Sequence, residues 1–245
     1  MNYSHRDVDF IKLNDNQYMV VACDSCGAIG LKPNDIIKVP YNITGKYTSR
    51  VCLMEVLSVG AKLISLTVNV CNEPSPTGEE ILKGIKDELS EAKLDIPLTI
   101  STEKNMKTSM TALGVTAIGV VNKDAILVNK ISCGDYIYTL GIPSIGNEVL
   151  ENQELISDIK TINALLTQES IKEIIPVGSS GITGELDMLC ESQNINIQLT
   201  DDLQIDIDKS AGPCTAIIVI SKDELINTYD VPVNLIGKIV AKGVQ

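Results

Sequence analysis

The sequence is poor in the residue types on which several protein classes depend. Its 245 residues include no Trp, one Phe and one His, and 20 Lys and Arg stand against 32 Asp and Glu. A net charge of −12 without any basic run argues against nucleic acid as a partner. The only histidine, His5, lies at the N-terminus, which disfavours Ser–His and Cys–His nucleophile systems.

Long apolar stretches are also missing. No run reaches the roughly 18 residues of a membrane span, and residues 1–7 lack the apolar core of a signal peptide, so we expect a cytoplasmic protein without membrane contact. The seven cysteines are odd in number and scattered through apolar segments, so we interpret them as reduced thiols. A redox or zinc role for Cys23 and Cys26 is the alternative, although no second such pair follows.

The familiar catalytic motifs are absent, including GxxxxGK[ST], GxGxxG, HExxH and GxSxG, which leaves carboxylates as the candidate active groups. Asp24 ends an apolar run, Glu55 lies within an apolar segment, and Glu103 lies in the polar stretch 101–108. A buried lone carboxylate is costly unless it is paired or binds a cation, and Mg²⁺ prefers carboxylates together with phosphate oxygens. The alternative is that Glu55 pairs with Arg50 or Lys62 and that Asp24 caps a turn.

The pattern of apolar residues predicts an α+β or mixed α/β protein with two domains, residues 1–131 and 132–245. It predicts helices at 48–60, from Thr77 onward, along the stripe from Leu155 to Leu166, and around 185–190. It predicts strands at 18–24, 63–71, 112–121, 125–128, 136–140 and 215–220.

The order of several short motifs resembles the superfamily of aminoimidazole ribonucleotide synthetase, called PurM-like, which includes thiamine monophosphate kinase. Within it the chain looks most like the alpha-ribazole kinase family, and the resemblance covers nearly the whole chain. The stretches that carry it are residues 20–25, 50–57 leading to Gly60-Ala61, 76–81, 101–105, 114–119, 133–135 and 176–181.

The resemblance implies a two-domain architecture, in which an N-terminal mixed sheet with flanking helices pairs in a homodimer and a trimmed C-terminal α+β domain follows. It implies transfer of the ATP γ-phosphoryl group to the 5′-hydroxyl of alpha-ribazole or a similar nucleoside. Asp24 and Glu55 would be catalytic and would bind Mg²⁺ together with Glu103. ATP would contact Gly27, Gly30, Lys32, Lys46, Arg50, Thr102 and Asn105, and Phe10, Tyr18, Tyr41 or Tyr47 would stack on the acceptor's ring.

Three departures from the superfamily pattern stand out. Glu55 replaces the usual Asp, residues 102–105 replace a Gly-Gly-Asp-Thr motif, and Ser179-Ser180-Gly181 lacks the Asp of Ser-Asp-Gly. The last change removes a carboxylate from the second domain. Three rival hypotheses therefore remain open: another small-molecule kinase or ATP-dependent synthetase of the superfamily, a non-catalytic nucleotide-binding regulator, and a structural interaction module.

Overall fold

The computed structural model describes residues 1–226 and 228–242. It contains two compact units, unit 1 (Met1–Ile126) and unit 2 (Leu127–Gln245), which meet a few residues before the boundary predicted after residue 131. Each unit combines a sheet with helices, so the predicted α+β class is confirmed. No helix among the described residues is both long enough and apolar enough to cross a bilayer.

Unit 1 is built on a six-stranded sheet. Its strands are β1 (Tyr3–His5), β2 (Val8–Lys12), β3 (Gln17–Gly27), β6 (Lys62–Val70), β7 (Leu98–Thr102) and β8 (Ala112–Asn122), and a separate parallel pair comprises β4 (Ile29–Gly30) and β5 (Ile37–Lys38). The strand order is β1-β2-β3-β8-β6-β7. Within this six-stranded sheet, only β6 and β7 are parallel neighbours. The C-terminal ends of β3, β6 and β7 therefore share one edge of the sheet.

Two helices, α1 (Tyr41–Ser58) and α2 (Glu79–Glu91), pack together, and α1 lies against β3 and β8. Alternate residues of the strands, such as Val20 and Ala22, are buried on this side. Helix α1 starts earlier than the predicted residue 48. Its first turns contain Gly45, where an added Cβ would clash with the Ile81 carbonyl, so the glycine permits close helix packing. Gly60 follows the helix with φ +82°, as the sequence predicted for a helix end.

The opposite side of the same sheet carries small polar side chains near the C-terminal ends of β3 and β6, and half-buried apolar side chains, such as the paired Val21 and Ile118, farther along. Cys23 and Ser25 of β3 and Asn69 of β6 are exposed, and Thr67 of β6 and Thr116 of β8 are half-buried. These residues pair across neighbouring strands, for example Cys23 with Thr116 and Thr116 with Thr67. We call this surface the polar sheet face.

Over its described residues, unit 2 contains a five-stranded antiparallel sheet and three helices. Its strands are β9 (Tyr136–Gly141), β10 (Ile171–Pro176), β11 (Ile195–Leu199), β12 (Ala216–Ser221) and β13 (Val233–Ala241), in the order β10-β12-β9-β13-β11. Its helices are α3 (Glu148–Glu151), α4 (Ile159–Leu166) and α5 (Gly181–Gln193). Buried residues of α5, including Ile182, Leu186 and Leu189, form a core with Ile137, Ile218 and Ile236 of the sheet.

Two sequence predictions about secondary structure are wrong. Residues 125–128 are not a strand: a 3₁₀ turn covers Lys123–Ala125, and Ile126 and Val128 are buried in irregular chain. The helix predicted from Leu155 onward is too long, because α4 begins only at Ile159. Asp158 caps that helix by accepting the Thr161 amide at 2.9 Å, and Leu155 is 42% exposed.

Candidate functional site

Asp24 lies on the helix-covered side of the sheet in unit 1. It follows Val20 and Ala22 at alternate positions of β3 and pairs with Val115 of β8. Burial raises the pKa of the Asp24 carboxyl, the Ser25 amide counteracts this by hydrogen bonding, and nearby Asp7 raises the pKa further. Asp24 is therefore a desolvated acid near the C-terminal end of a central strand.

Glu55 lies on α1 and is only 9% exposed. Burial raises the pKa of its carboxyl to about 8, with Asp7 and Asp24 acting in the same direction and Arg6 in the opposite one. The sequence analysis assigned Asp24, Glu55 and Glu103 to one Mg²⁺ site; in the structure Asp24 and Asp7 lie near enough to Glu55 to raise its pKa. We call Asp7, Asp24 and Glu55 the acidic cluster.

Asp7 is the member of the cluster that sequence reasoning missed. His5 pairs with Val8, and Val8 pairs with Ala22, so Arg6 and Asp7 form the tip of the β1–β2 hairpin beside the following residues of β3. The sequence does indicate a polar two-residue turn at Arg6-Asp7. It does not indicate which other segments of the chain lie beside that turn.

Glu103 lies elsewhere in unit 1, just after β7. The register across the sheet runs from Asp24 to Val115, Val68 and Ile100, so β3 and β7 are three strand spacings apart, about 14 Å. The Glu103 carboxylate accepts the amides of Asn105 and Met106 at 2.6 and 3.0 Å, and these hydrogen bonds lower its pKa. Glu103 and Asp24 of one chain are thus too far apart to bind the same ion.

The loop after β3 is held in place by the carboxylate of Asp35. Asp35, which is 5% exposed, accepts the Thr111 amide and hydroxyl at 2.7 and 2.6 Å and the Lys32 amide at 2.7 Å. Gly30 lies against this group, and a Cβ there would be 2.8 Å from Asp35 Oδ2. By contrast, a Cβ added at Gly27 would meet no atom within 4 Å.

The three predicted phosphate-binding cations already have acidic partners. The Lys32 ammonium donates to Glu73, which also accepts the Thr77 hydroxyl. Lys46 pairs with Glu91 at 2.7 Å. Arg50 donates to Glu88 of α2. Arg50 would therefore have to leave a buried ion pair before it could bind ATP, whereas Lys32 lies at the strand-end edge of the sheet beside Glu73.

The other predicted contacts differ in their accessibility. Thr102 ends β7 and is half-buried, and Asn105 is exposed in the turn that Glu103 holds. Phe10 is fully buried and stacks on Tyr3 at 4.6 Å, and Tyr47 is buried beneath the Arg50 guanidinium. Tyr18 and Tyr41 are half-buried and remain candidates for stacking on a ring.

Cys23 and Cys26 lie on opposite sides of β3, because they are three residues apart in a strand. Cys23 is on the polar sheet face, whereas burial raises the pKa of the Cys26 thiol on the helix side. Both are free, and the described residues contain no group of three His, Cys, Asp or Glu arranged to hold a metal ion. The strand geometry therefore gives no support to a shared zinc site.

In unit 2, Ser179, Ser180 and Gly181 lead into α5. Gly181 has φ +70°, and an added Cβ would be 2.9 Å from the Asp208 carbonyl oxygen. The Ser180 hydroxyl donates to buried Glu185 at 3.2 Å. A carboxylate thus lies beside this loop although the loop itself carries none.

The acidic cluster contains three carboxylates that act on one another electrostatically, and burial desolvates Asp24 and Glu55. It does not form a complete ligand shell, as the absence of any preformed three-ligand group in the described chain indicates. Mg²⁺ in nucleotide enzymes is commonly held by one or two carboxylates, with phosphate oxygens and water completing the coordination. The cluster has the composition of such a partial site.

Comparison with protein families gives a match to the N-terminal part of the chain. Residues 5–121 match the AIR synthase related protein, N-terminal domain. The matched region contains the acidic cluster, Glu103 and the Asp35 loop, and it ends before unit 2 begins. No curated protein is significantly similar to the chain in sequence.

Solved structures share the fold across both units at low sequence identity. Thiamine-monophosphate kinase from Stenotrophomonas maltophilia K279a is 15% identical with a TM-score of 0.67, over 98% of this chain and 89% of that one. AaThiL, solved with AMPPCP and TMP, is 11% identical with a TM-score of 0.65, over 96% and 84%. Phosphoribosylformylglycinamidine synthase II from Thermotoga maritima is 17% identical with a TM-score of 0.61, over 95% of this chain but only 36% of its own length. The chain therefore has a PurM-like fold.

Proposed function

We propose that this protein is an ATP-dependent kinase that transfers the γ-phosphoryl group to the 5′-hydroxyl of alpha-ribazole. The observation that carries the proposal is the acidic cluster, in which a buried Glu55 and a desolvated Asp24 lie near Asp7 without forming a closed ligand shell. The family match over residues 5–121 and the neighbour solved with AMPPCP support ATP as the phosphoryl donor.

Phosphoryl transfer depends mainly on in-line positioning and on neutralisation of phosphate charge. A bound Mg²⁺ would supply that neutralisation. Asp24 and Glu55 would hold the ion, with Asp7 as a third ligand or as the acceptor of a bound water. The Asp35 hydrogen bonds would keep the Gly27–Gly30 backbone in a fixed position near the phosphates, with Lys32 nearby as a positive charge.

The acceptor rests on the sequence resemblance to alpha-ribazole kinases. Thiamine monophosphate is the second candidate, because a thiamine-monophosphate kinase shares the fold over 98% of this chain. A stacking role for Tyr18 or Tyr41 suits the flat ring of either acceptor.

We also propose that two copies pair through the polar sheet face. Its small side chains would allow two sheets to approach closely, and Thr116 lies near its middle, between Cys23 and Thr67. Light scattering of Thr116→Lys should report a monomer where the wild type is a dimer. An unchanged mass would exclude this surface.

The first test is ADP release with Mg-ATP and either alpha-ribazole or thiamine monophosphate. Asp24→Asn and Glu55→Gln should each lower acceptor-dependent turnover by at least about 100-fold, because charge neutralisation is lost. Asp15→Asn, which changes an exposed carboxylate on the β2–β3 turn, is the control. Turnover with thiamine monophosphate alone would reassign the acceptor. ATP binding without ADP formation would instead favour a non-catalytic regulator, and no Mg-dependent nucleotide binding would favour a structural interaction module.

A further inference from the structure

Lys32, in the loop after β3, is held at both ends of its side chain. The ammonium donates to Glu73, and the side chains of the two residues are 12% and 31% exposed. The Lys32 amide donates to Asp35 at 2.7 Å, and its carbonyl oxygen accepts the Lys38 ammonium at 2.6 Å. Lysine is among the side chains that lose the most rotamer entropy when they are fixed, and here that cost falls on folding rather than on ligand binding.

Glu73 is oriented by a second contact that does not involve Lys32. Its other carboxylate oxygen accepts the hydroxyl of Thr77, which is fully buried in the chain that leads into α2. Burial raises the pKa of the Glu73 carboxyl, but the hydrogen bonds from Lys32 and Thr77 outweigh burial and lower it below its ordinary value. Glu73 is therefore an ionised acid with both oxygens engaged.

The two loops that carry this ion pair are attached to the same segment, residues 108–112. The side chain of buried Asn72, the neighbour of Glu73, forms hydrogen bonds of 2.7, 2.8 and 2.9 Å with that segment. Asp35, which holds the Lys32 amide, accepts two further hydrogen bonds from it at 2.7 and 2.6 Å. The position of the Lys32 ammonium is thus set by a frame that joins the loops after β3, β6 and β7.

The Lys32 ammonium has donors to spare. An ammonium has three N–H groups, and among residues 1–226 and 228–242 the carboxylate of Glu73 is the one acceptor within hydrogen-bonding distance of it. We propose that Glu73 is a positioning residue, which holds the Lys32 ammonium so that its remaining N–H groups bind a phosphate group of ATP. The inference rests on the proposed function, because it assumes that ATP binds at this edge of the sheet.

The test is a double-mutant cycle on the affinity for Mg-AMPPCP, measured by isothermal titration calorimetry without an acceptor. Lys32→Met removes the ammonium, Glu73→Gln removes the acidic charge at nearly constant shape, and a third variant combines the two changes. Asp15→Asn is the control, because it breaks the exposed ion pair with Lys12 on the β2–β3 turn. Urea denaturation checks that each variant is folded.

Lys32→Met should weaken binding about 30-fold, as expected for loss of a charge-assisted hydrogen bond, and Asp15→Asn should match wild type. Glu73→Gln should weaken binding about 5-fold, although removal of a negative charge by itself favours an anionic ligand. In the Lys32→Met background the same change should no longer weaken binding, because only the repulsion between Glu73 and phosphate is then left to remove. This dependence on Lys32 distinguishes positioning from a merely structural ion pair.

Thr77→Val supplies a second variant that leaves both charges in place. It removes only the hydroxyl that orients Glu73, and it should weaken Mg-AMPPCP binding about 3-fold. Wild-type affinity in Lys32→Met, Glu73→Gln or Thr77→Val would overturn the positioning role alone, as would an equal loss from Glu73→Gln in both backgrounds. Absence of Mg-AMPPCP binding by the wild type would overturn the proposed function and the positioning role together.

Discussion

Arg50 of α1 and Glu88 of α2 form a two-point ion pair, with Nε and Nη2 donating to Oε1 and Oε2 at 2.7 and 2.8 Å, and both residues are at most 5% exposed. The Arg50 guanidinium also lies 4.8 Å from the centre of the Tyr47 ring. The pair fixes the two helices that cover the sheet of unit 1.

Removing one partner of this pair should be strongly destabilising. Arg50→Met leaves the Glu88 carboxylate buried, so we expect a loss of about 3–5 kcal/mol in the free energy of unfolding. Urea denaturation measures it, with Lys12→Met as the control for an exposed ion pair. The double variant Arg50→Met/Glu88→Leu should recover much of the lost stability. If it is as unstable as Arg50→Met, the unpaired Glu88 carboxylate is not the cause of the loss.

Gly84 should tolerate no side chain. A Cβ at this position of α2 would be 1.8 Å from the Asn42 carbonyl oxygen of α1, so Gly84→Ala must push the helices apart. We expect a loss of at least about 2 kcal/mol in unfolding free energy despite the better helix propensity of Ala. Gly114→Ala is the control, because its Cβ would meet no atom within 4 Å. Equal stabilities of the two variants would disprove the close helix contact.

Asp35 should make unit 1 sensitive to acid. Burial raises the pKa of its carboxyl, but the hydrogen bonds from Thr111 and Lys32 outweigh burial and hold the pKa below the ordinary value of 3.8. The carboxylate therefore contributes stability that is present above pH 3.8 and is lost as the pH falls through its folded pKa.

Asp35→Asn should accordingly lower the unfolding free energy at pH 7 by about 1–3 kcal/mol and flatten its decline below pH 4. Thermal unfolding between pH 2.5 and 7 measures both effects. Asp15→Asn should change the stability at pH 7 little, because Asp15 is exposed. If the unfolding free energies of wild type and Asp35→Asn fall in parallel below pH 4, Asp35 is not the group responsible for the acid sensitivity.

The hydroxyl of Thr139 is buried in the core of unit 2 without a hydrogen-bond partner among the described residues. The residue lies on β9. Thr139→Val keeps the shape and removes the unpaired group, so we expect about 1 kcal/mol of stabilisation. Thr215→Val should do the opposite, because the Thr215 hydroxyl donates to the Ala211 carbonyl at 3.1 Å. Destabilisation by both changes would indicate that Thr139 has a polar partner.

The sequence predicted those elements whose apolar pattern is complete within a short segment. The core of β3 and most of α1 belong to this group. Strand β7 was missed because Leu98–Thr102 is half-exposed or exposed along its length and shows no buried alternation. The partner of Arg50 could not be predicted, since Glu88 is 38 residues away and only helix packing brings the two together. Asp7 was missed for the same reason, because its neighbours come from β3 and α1.

The register of β3 and β8 bears on how the protein is made. The two strands pair over residues 17–27 and 112–122, so β3 has its neighbour on this side only after almost the whole of unit 1 has been synthesised. Helix α1 packs on both strands, and Glu55 therefore reaches its final environment just as late. Contacts between such distant segments form slowly and leave apolar surface exposed meanwhile. A ribosome-bound chain that stops before Ala112 would thus hold Asp24 and Glu55 but no assembled site, and chaperone binding should fall once β8 has emerged.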